Sequence, residues 1–178
     1  MKFVLLSLVI LISDFAFAGK IKIRAREHYE LLKIKTDNTE DKYKGLSNTV
    51  NIWWEKPYDI SYGISFSPIF SGLREEDDNS TFGKKIQTIN AGLELKYFPK
   101  VLIRNLYVRP GITYTVLKPD NQIRNLSGYS AYLGLGYEIE FKKFGLALEA
   151  AYRYSDLENN TTIETITPSI GFHFYKGL

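Results

Sequence analysis

The chain has 178 residues, with 23 Lys and Arg, 20 Asp and Glu, and no cysteine. Its net charge of +3 gives no electrostatic basis for binding nucleic acid, and the lack of cysteine excludes disulfides, thiolate metal sites and a cysteine nucleophile. A mean hydropathy of −0.19 excludes a bundle of membrane helices, whereas the aromatic content of 15% is high.

The first eighteen residues have the three regions of a secretory signal peptide. Lys2 gives a positive start, an apolar run covers residues 4–12, and Ala16-Phe17-Ala18 forms an A-x-A pattern before Gly19. This apolar run is too short to span a hydrocarbon core of about 30 Å. We expect cleavage after Ala18, which leaves residues 19–178 as one domain.

The rest of the chain alternates between apolar and small or polar residues, which is the period of a β-strand. Eight segments are predicted as strands: 20–36, 46–54, 60–70, 89–97, 106–116, 129–141, 146–155 and 166–174. The first strand fits least well. Glu27 interrupts its apolar face, and Leu31, Leu32 and Ile34 do not all fall on the same side of the alternation. A β-bulge in this strand would restore the alternation.

The connectors alternate in length along the predicted meander. Residues 55–59, 98–105 and 142–145 are mostly short turns, whereas 37–45, 71–85, 118–127 and 156–162 are longer and polar. The long connectors therefore lie at one end of the structure and the short turns at the other. This pattern predicts an eight-stranded antiparallel up-and-down barrel.

Two kinds of barrel fit this alternation, a soluble calycin-like barrel and a transmembrane barrel, and they differ in which face points inward. The interior of an eight-stranded barrel is only just wide enough to be filled by side chains. One face carries Tyr, Phe, Leu, Ile and Trp at nearly every position and would overfill it, whereas the other is mostly Gly, Ser, Thr and Ala with a few charges. We therefore predict that the bulky face contacts lipid.

Aromatic residues cluster near both ends of the predicted strands, as expected for girdles at the two membrane interfaces. The predicted girdles contain Trp54, Tyr58, Tyr97, Tyr114, Tyr129, Tyr137, Phe141, Tyr152, Phe172 and Phe174.

Three segments carry a resemblance to a known group of proteins: 106–114 (LYVRPGITY), 132–138 (YLGLGYE) and 168–175 (PSIGFHFY). In these three segments the chain resembles the small eight-stranded outer-membrane β-barrels of Gram-negative bacteria, such as the transmembrane domain of outer membrane protein A. The resemblance implies an integral protein of the outer membrane, surrounded by membrane lipids and lipopolysaccharide. It also implies insertion by the barrel-assembly machinery, which reads a last strand ending in an aromatic residue.

The predicted inward face carries charges that must pair or stay hydrated, because an unpaired buried charge costs several kcal/mol. They are Glu94, Lys96, Arg109, Glu138, Glu140, Glu149 and Arg153. Arg109 lies between the neighbouring strands that carry Glu94 and Glu138, and Arg153 lies beside the strand of Glu138 and Glu140, so we expect pairs between these neighbours. We interpret them as a polar plug closing a narrow barrel, with a gate or ion path as the alternative. Toward the long connectors the lumen-facing residues become small and neutral, which predicts a shallow wet vestibule lined by Ser67, Thr113, Thr115, Ser130, Ser155 and Thr167.

The predicted function is structural or interfacial, in a monomer that needs no cofactor or metal. The alternatives are a narrow pore for small or hydrophobic solutes and, less favoured, an enzyme that modifies lipid A. Neither His28 nor His173 has a serine at a spacing suited to acyl chemistry. The acidic run 75–78 lacks an EF-hand pattern, so a solvated loop is preferred to a calcium site.

Overall fold

The computed structural model describes residues 20–55, 60–74, 81–99, 105–121, 124–141 and 144–177. It contains eight strands: β1 (Lys20–Lys35), β2 (Glu40–Glu55), β3 (Ile60–Arg74), β4 (Lys85–Tyr97), β5 (Leu106–Pro119), β6 (Leu126–Glu140), β7 (Phe144–Leu157) and β8 (Thr161–Gly177). Each strand pairs antiparallel with its neighbours in sequence, and β8 pairs with β1 to close the barrel. The predicted up-and-down barrel is confirmed.

The described ranges hold no helix that is long and apolar enough to cross a membrane. The predicted signal peptide and the acidic run 75–78 lie outside these ranges.

The strands are strongly staggered around the barrel. A path that starts at Arg24 and crosses one register partner at a time returns to β1 at Ile34, ten residues further along the strand. The path runs through Asn51, Ser65, Gly92, Thr113, Ser130, Ser155 and Ile163. Closure with such a stagger tilts the strands and leaves an interior that side chains can fill. Residues far apart in sequence therefore meet across the lumen.

Side chains alternate between lipid and lumen as the period of two requires. Large apolar residues point outward, with exposed fractions of 67% for Ile112, 56% for Leu133 and 64% for Phe174. Charged residues such as Arg24 and Arg109 are buried inside. The prediction that the bulky face is the outer face is confirmed.

The predicted bulge in the first strand is wrong. β1 pairs continuously with β2 from Lys20 to Lys35, and the register irregularities lie instead where β2 pairs with β3 and β3 with β4. The apparent change of parity has a different cause. Leu32 and Ile34 keep the lumen-facing parity of Arg24 but join an apolar cluster inside the barrel, while Leu31 faces outward.

The predicted difference between long and short connectors is only partly correct. The β1–β2 connector is 36–39 and the β7–β8 connector is 158–160, because polar residues at the strand ends stay paired in the sheet. Asn159 and Asn160 adopt positive φ in the latter turn, a conformation that asparagine tolerates better than most residues. Strands of 13 to 17 residues exceed the 9–11 or so that cross a bilayer, so they continue beyond it.

Candidate functional site in the lumen and at the outer rim

The lumen near the short turns is organised around the carboxylate of Glu138. Lys22 Nζ lies 2.9 Å and Arg24 Nη2 2.5 Å from Glu138 Oε1, and Lys96 donates to Oε2. His173 Nε2 is 3.0 Å from Oε1. All five side chains are at most 1% exposed, so three full cations share one buried carboxylate.

A second network occupies the middle of the lumen and centres on Arg109. This guanidinium donates to both carboxylate oxygens of Glu149 and to Glu94. Arg26 reaches the same two acids, with Nη1 2.8 Å from Glu149 Oε1 and Nη2 3.9 Å from Glu94 Oε2. Asn51 accepts hydrogen bonds from Arg26 and donates to Glu94 over 3.3 Å. Two cations and two anions thus neutralise one another with most of their polar atoms bonded.

Tyr107 joins the two networks. Its hydroxyl donates to Glu149 Oε2 over 2.8 Å and accepts from Arg24 Nη1 over 3.4 Å. The Lys96 ammonium lies 4.2 Å from its ring centroid, within the range of a cation–π contact. Gly136 makes room for this ring, because a Cβ there would lie 2.3 Å from Tyr107 Cζ. The two networks therefore form one continuous plug.

Above the plug lies a small polar cavity of about 30 Å³, lined by residues of several strands that include His28, Glu30, Asn90, Thr113, Arg153 and Thr167. Arg153 Nη2 is 2.9 Å from Glu30 Oε1, but Glu30 Oε2, Arg153 Nε and both ring nitrogens of His28 have no hydrogen-bond partner in the described chain. Buried polar groups are normally satisfied, and this volume accommodates about two water molecules. We expect the cavity to be hydrated.

The end of the lumen near the long connectors is apolar, so the predicted wet vestibule is wrong. Thr113, Thr115, Ser130, Ser155 and Thr167 do face inward and are buried, but the lumen beyond them is closed. An apolar cluster fills it with Leu32, Ile34, Tyr43, Phe82, Ile86, Leu117, Leu126, Leu157 and Ile163. Ser67 lies in a strand whose side chains are outside the described part. The lumen is thus blocked by charge pairs at one end and by apolar packing at the other.

The structure brings together most of the predicted lumen charges, and the partners agree only in part with those expected from neighbouring strands: Arg109 pairs with Glu94 as expected. Arg109 binds Glu94 and Glu149 rather than Glu138, and Arg153 binds Glu30 rather than the acids of β6. Glu140 is 53% exposed at the barrel mouth, with one contact of 3.4 Å to Lys22.

Sequence reasoning missed the contribution of β1. Lys22, Arg24, Arg26, His28 and Glu30 all point inward and are buried. Their strict alternation in the sequence was the available signal. This alternation was not recognised because Glu27, which lies on the outward face, interrupts the apolar residues of that face.

Glu138, Glu140 and His173 could in principle hold a metal ion, since their ligand atoms lie within 4.8 Å of one another. Lys22, Arg24 and Lys96 already surround the Glu138 carboxylate. Bringing a further cation among them is electrostatically unfavourable. The charge distribution thus argues against a metal here.

The outer surface carries two aromatic bands separated by aliphatic residues. The predicted girdle residues in the described part all point outward and are more than 40% exposed: Tyr97, Tyr114, Tyr129, Tyr137, Phe141, Tyr152, Phe172 and Phe174. The side chain of Trp54 and the whole of Tyr58 lie outside the described residues. Trp53, its neighbour, is fully buried in the lumen.

Beyond the tyrosines, toward the long connectors, the outward faces of β1, β2, β4 and β5 carry lysines. We call this group the basic collar and define it by Lys33, Lys35, Lys42, Lys44, Lys85 and Lys118. Lys33 and Lys42 are direct register partners on the outward face of β1 and β2. Ion pairs of 2.8 Å and 2.7 Å join Lys33 to Glu40 and Lys35 to Glu164. The collar thus lies at the long-connector end of the outer surface, beyond the tyrosines.

Comparison with known proteins identifies the fold. No protein-family model matches the sequence, and no curated protein matches it significantly. Among solved structures, Neisserial surface protein A (NspA) matches at a TM-score of 0.53 and 12% identity, over 86% of this chain and 96% of that one. OprG from Pseudomonas aeruginosa matches at 0.53 and 15%, over 90% and 97%.

A third match is Ail, the attachment invasion locus protein of Yersinia pestis, in complex with the heparin analogue sucrose octasulfate. Its TM-score is 0.54 at 12% identity, over 87% of this chain and 99% of Ail. These likenesses show a common fold, the small eight-stranded outer-membrane β-barrel. With an apolar belt between two aromatic bands, this fold places the chain in the outer membrane.

Proposed function

We propose that this protein is a sealed outer-membrane barrel that acts at the cell surface by binding the phosphate groups of lipopolysaccharide through its basic collar. The observation that carries the proposal is the accumulation of six lysines in the basic collar, with Lys33 and Lys42 directly opposed, against only two glutamates paired with them. Lysines in such number repel one another, so the collar favours a further anion. A phosphorylated headgroup supplies that anion at this height, just beyond the tyrosine band.

The filled lumen supports a role at the cell surface rather than a role as a conduit. Charge pairs and apolar packing fill most of the interior, and the cavity between them holds only about 30 Å³. The histidines also support a non-enzymatic role. His173 lies against Glu138 among three cations, and His28 has no hydrogen-bond partner in the described chain. Ail, a barrel of the same fold, was solved in complex with the heparin analogue sucrose octasulfate, so a protein of this fold is able to bind a polyanion.

The Lys42→Gln, Lys44→Gln double variant tests the binding proposal. We expect its affinity for lipopolysaccharide to fall by about 30-fold, because each of the two lysines contributes about 1 kcal/mol through its phosphate contact. Binding is measured by titrating the folded barrel in nanodiscs with lipopolysaccharide and with its dephosphorylated form. Arg124→Gln is the matched control, since Arg124 is a cation at the same end of the barrel but outside the collar, and 78% exposed.

Two results would contradict the proposal. One is equal affinity of the native chain for phosphorylated and dephosphorylated lipopolysaccharide. The other is a loss of affinity in Arg124→Gln as large as in the double variant, which would indicate diffuse attraction rather than a site.

The sealed lumen is tested separately by electrical recording. A planar bilayer containing the purified barrel should show no stepwise current above that of a bilayer without protein. The reason is that the charge plug and the apolar cluster, as far as the side chains are described, occupy the two ends of the lumen. Reproducible current steps of uniform size would favour the narrow-pore alternative.

A further inference from the structure

One place on the lipid-facing surface is polar. Glu27 on β1 and Asn48 on β2 point outward and are exposed. Glu27 has Ile23 and Ala25 on one side and Tyr29 on the other along the outward face of β1. Among the described outward side chains within the apolar belt, these two are the only polar ones apart from tyrosines. We call the pair the polar notch.

The notch is a single feature rather than two scattered exceptions. Glu27 and Asn48 are direct register partners, so they lie side by side on neighbouring strands. Within the described chain the Glu27 carboxyl makes no side-chain hydrogen bond or ion pair. A carboxyl group facing hydrocarbon without a partner is strongly unfavourable, so ionisable residues at this depth usually mark a functional contact.

We propose that the polar notch is the centre of a lateral interface with a second copy of this chain. The chemistry of the notch is self-complementary, since the amide of Asn48 both donates and accepts and the carboxyl of Glu27 accepts in either protonation state. A two-fold axis along the membrane normal, placed between the two copies and facing the β1–β2 pair, brings Glu27 of each copy near Asn48 of the other. This is the isologous arrangement typical of homodimers.

The surroundings of the notch allow close approach. The next outward register pair toward the short turns is Ala25 with Val50, and the neighbouring strand β8 presents Pro168. Small residues at a membrane interface let two backbones come near enough for short polar side chains to meet. This inference replaces the expectation of a monomer and does not depend on the basic collar.

The absence of cysteine from the chain makes the test direct. Ala25→Cys places a thiol beside the notch, and Ala131→Cys places one on an equally exposed outward alanine of β6. Each variant is folded into phospholipid vesicles at low protein density and oxidised. We expect disulfide-linked dimers from Ala25→Cys and only background from Ala131→Cys. Unboiled gel mobility confirms that both variants are folded.

Substitutions at the notch then separate a specific contact from chance collision. In the Ala25→Cys background, Glu27→Leu removes both symmetric hydrogen bonds and should reduce cross-linking by about tenfold. Glu27→Gln keeps the hydrogen-bonding capacity and should retain most of it. Equal cross-linking at Ala25 and Ala131, or no effect of Glu27→Leu, would overturn the proposal. Exclusive cross-linking of Ala25→Cys to a different protein in native outer membranes would also overturn it.

Discussion

Glu138→Gln should lower the free energy of unfolding by about 3–5 kcal/mol, the usual effect of removing one partner from a buried ion pair. The substitution is nearly isosteric, so it leaves packing unchanged and removes only one negative charge. Lys22, Arg24 and Lys96 would then face one another inside the barrel without a buried counter-ion. Water screens their mutual repulsion poorly, since each of the three side chains is at most 1% exposed.

The measurement is reversible urea unfolding of the barrel in lipid vesicles, followed by tryptophan fluorescence. Glu140→Gln is the matched control. It removes the same charge two residues further along the strand, but from a side chain that is 53% exposed. We expect the control to change stability by less than about 1 kcal/mol. Equal effects of the two substitutions would show that water enters the lower lumen freely and that no sealed network exists there.

The architecture could be predicted from the sequence because lipid and lumen impose opposite demands on alternate residues. Leu133 and Leu135 point outward while Gly134 and Gly136 point inward, and this contrast repeats on most strands. Deciding which face meets lipid needed only the size of an eight-stranded interior. These are local or whole-barrel properties that require no knowledge of which residues touch across the lumen.

The pairing inside the lumen could not be predicted in the same way. Arg26 meets Glu149 and Lys22 meets Glu138, pairs more than a hundred residues apart in sequence. Their proximity depends on the ten-residue stagger, which results from the register of all eight strand pairs together. Without that stagger, adjacency along the sheet was the only guide. It gave Glu94 correctly as a partner of Arg109 but missed Glu149, and it gave the wrong partners for Arg153.

The apolar end of the lumen was missed for a related reason. Leu31 and Leu32 are consecutive apolar residues, one facing lipid and the other facing the interior cluster. A prediction based on alternation assumes that the lumen is polar along its whole length. It therefore interprets two consecutive apolar residues as a shift of register. The actual lumen changes from charged to apolar within β1.

Leu133→Arg should destabilise the folded barrel by about 2–4 kcal/mol, the range for a charge near the middle of a bilayer on the lipid face of a barrel. Leu133 is 56% exposed and lies in the outward row of β6 between Ala131 and Leu135. An arginine there has no charge partner on its own face and must either sit in hydrocarbon or bend toward an interface. The effect is measured by the same urea unfolding in vesicles.

Gln87→Arg provides the comparison, because Gln87 also points outward but lies at the level of the basic collar. The same charge at that height contacts headgroups, where the penalty falls to about 0–1 kcal/mol. A large difference between the two variants therefore reports the depth of each residue in the membrane. If both were tolerated equally, the outer face would not be surrounded by hydrocarbon at Leu133. The bulky residues would then need another apolar environment, and the assignment of the exterior to lipid would fail.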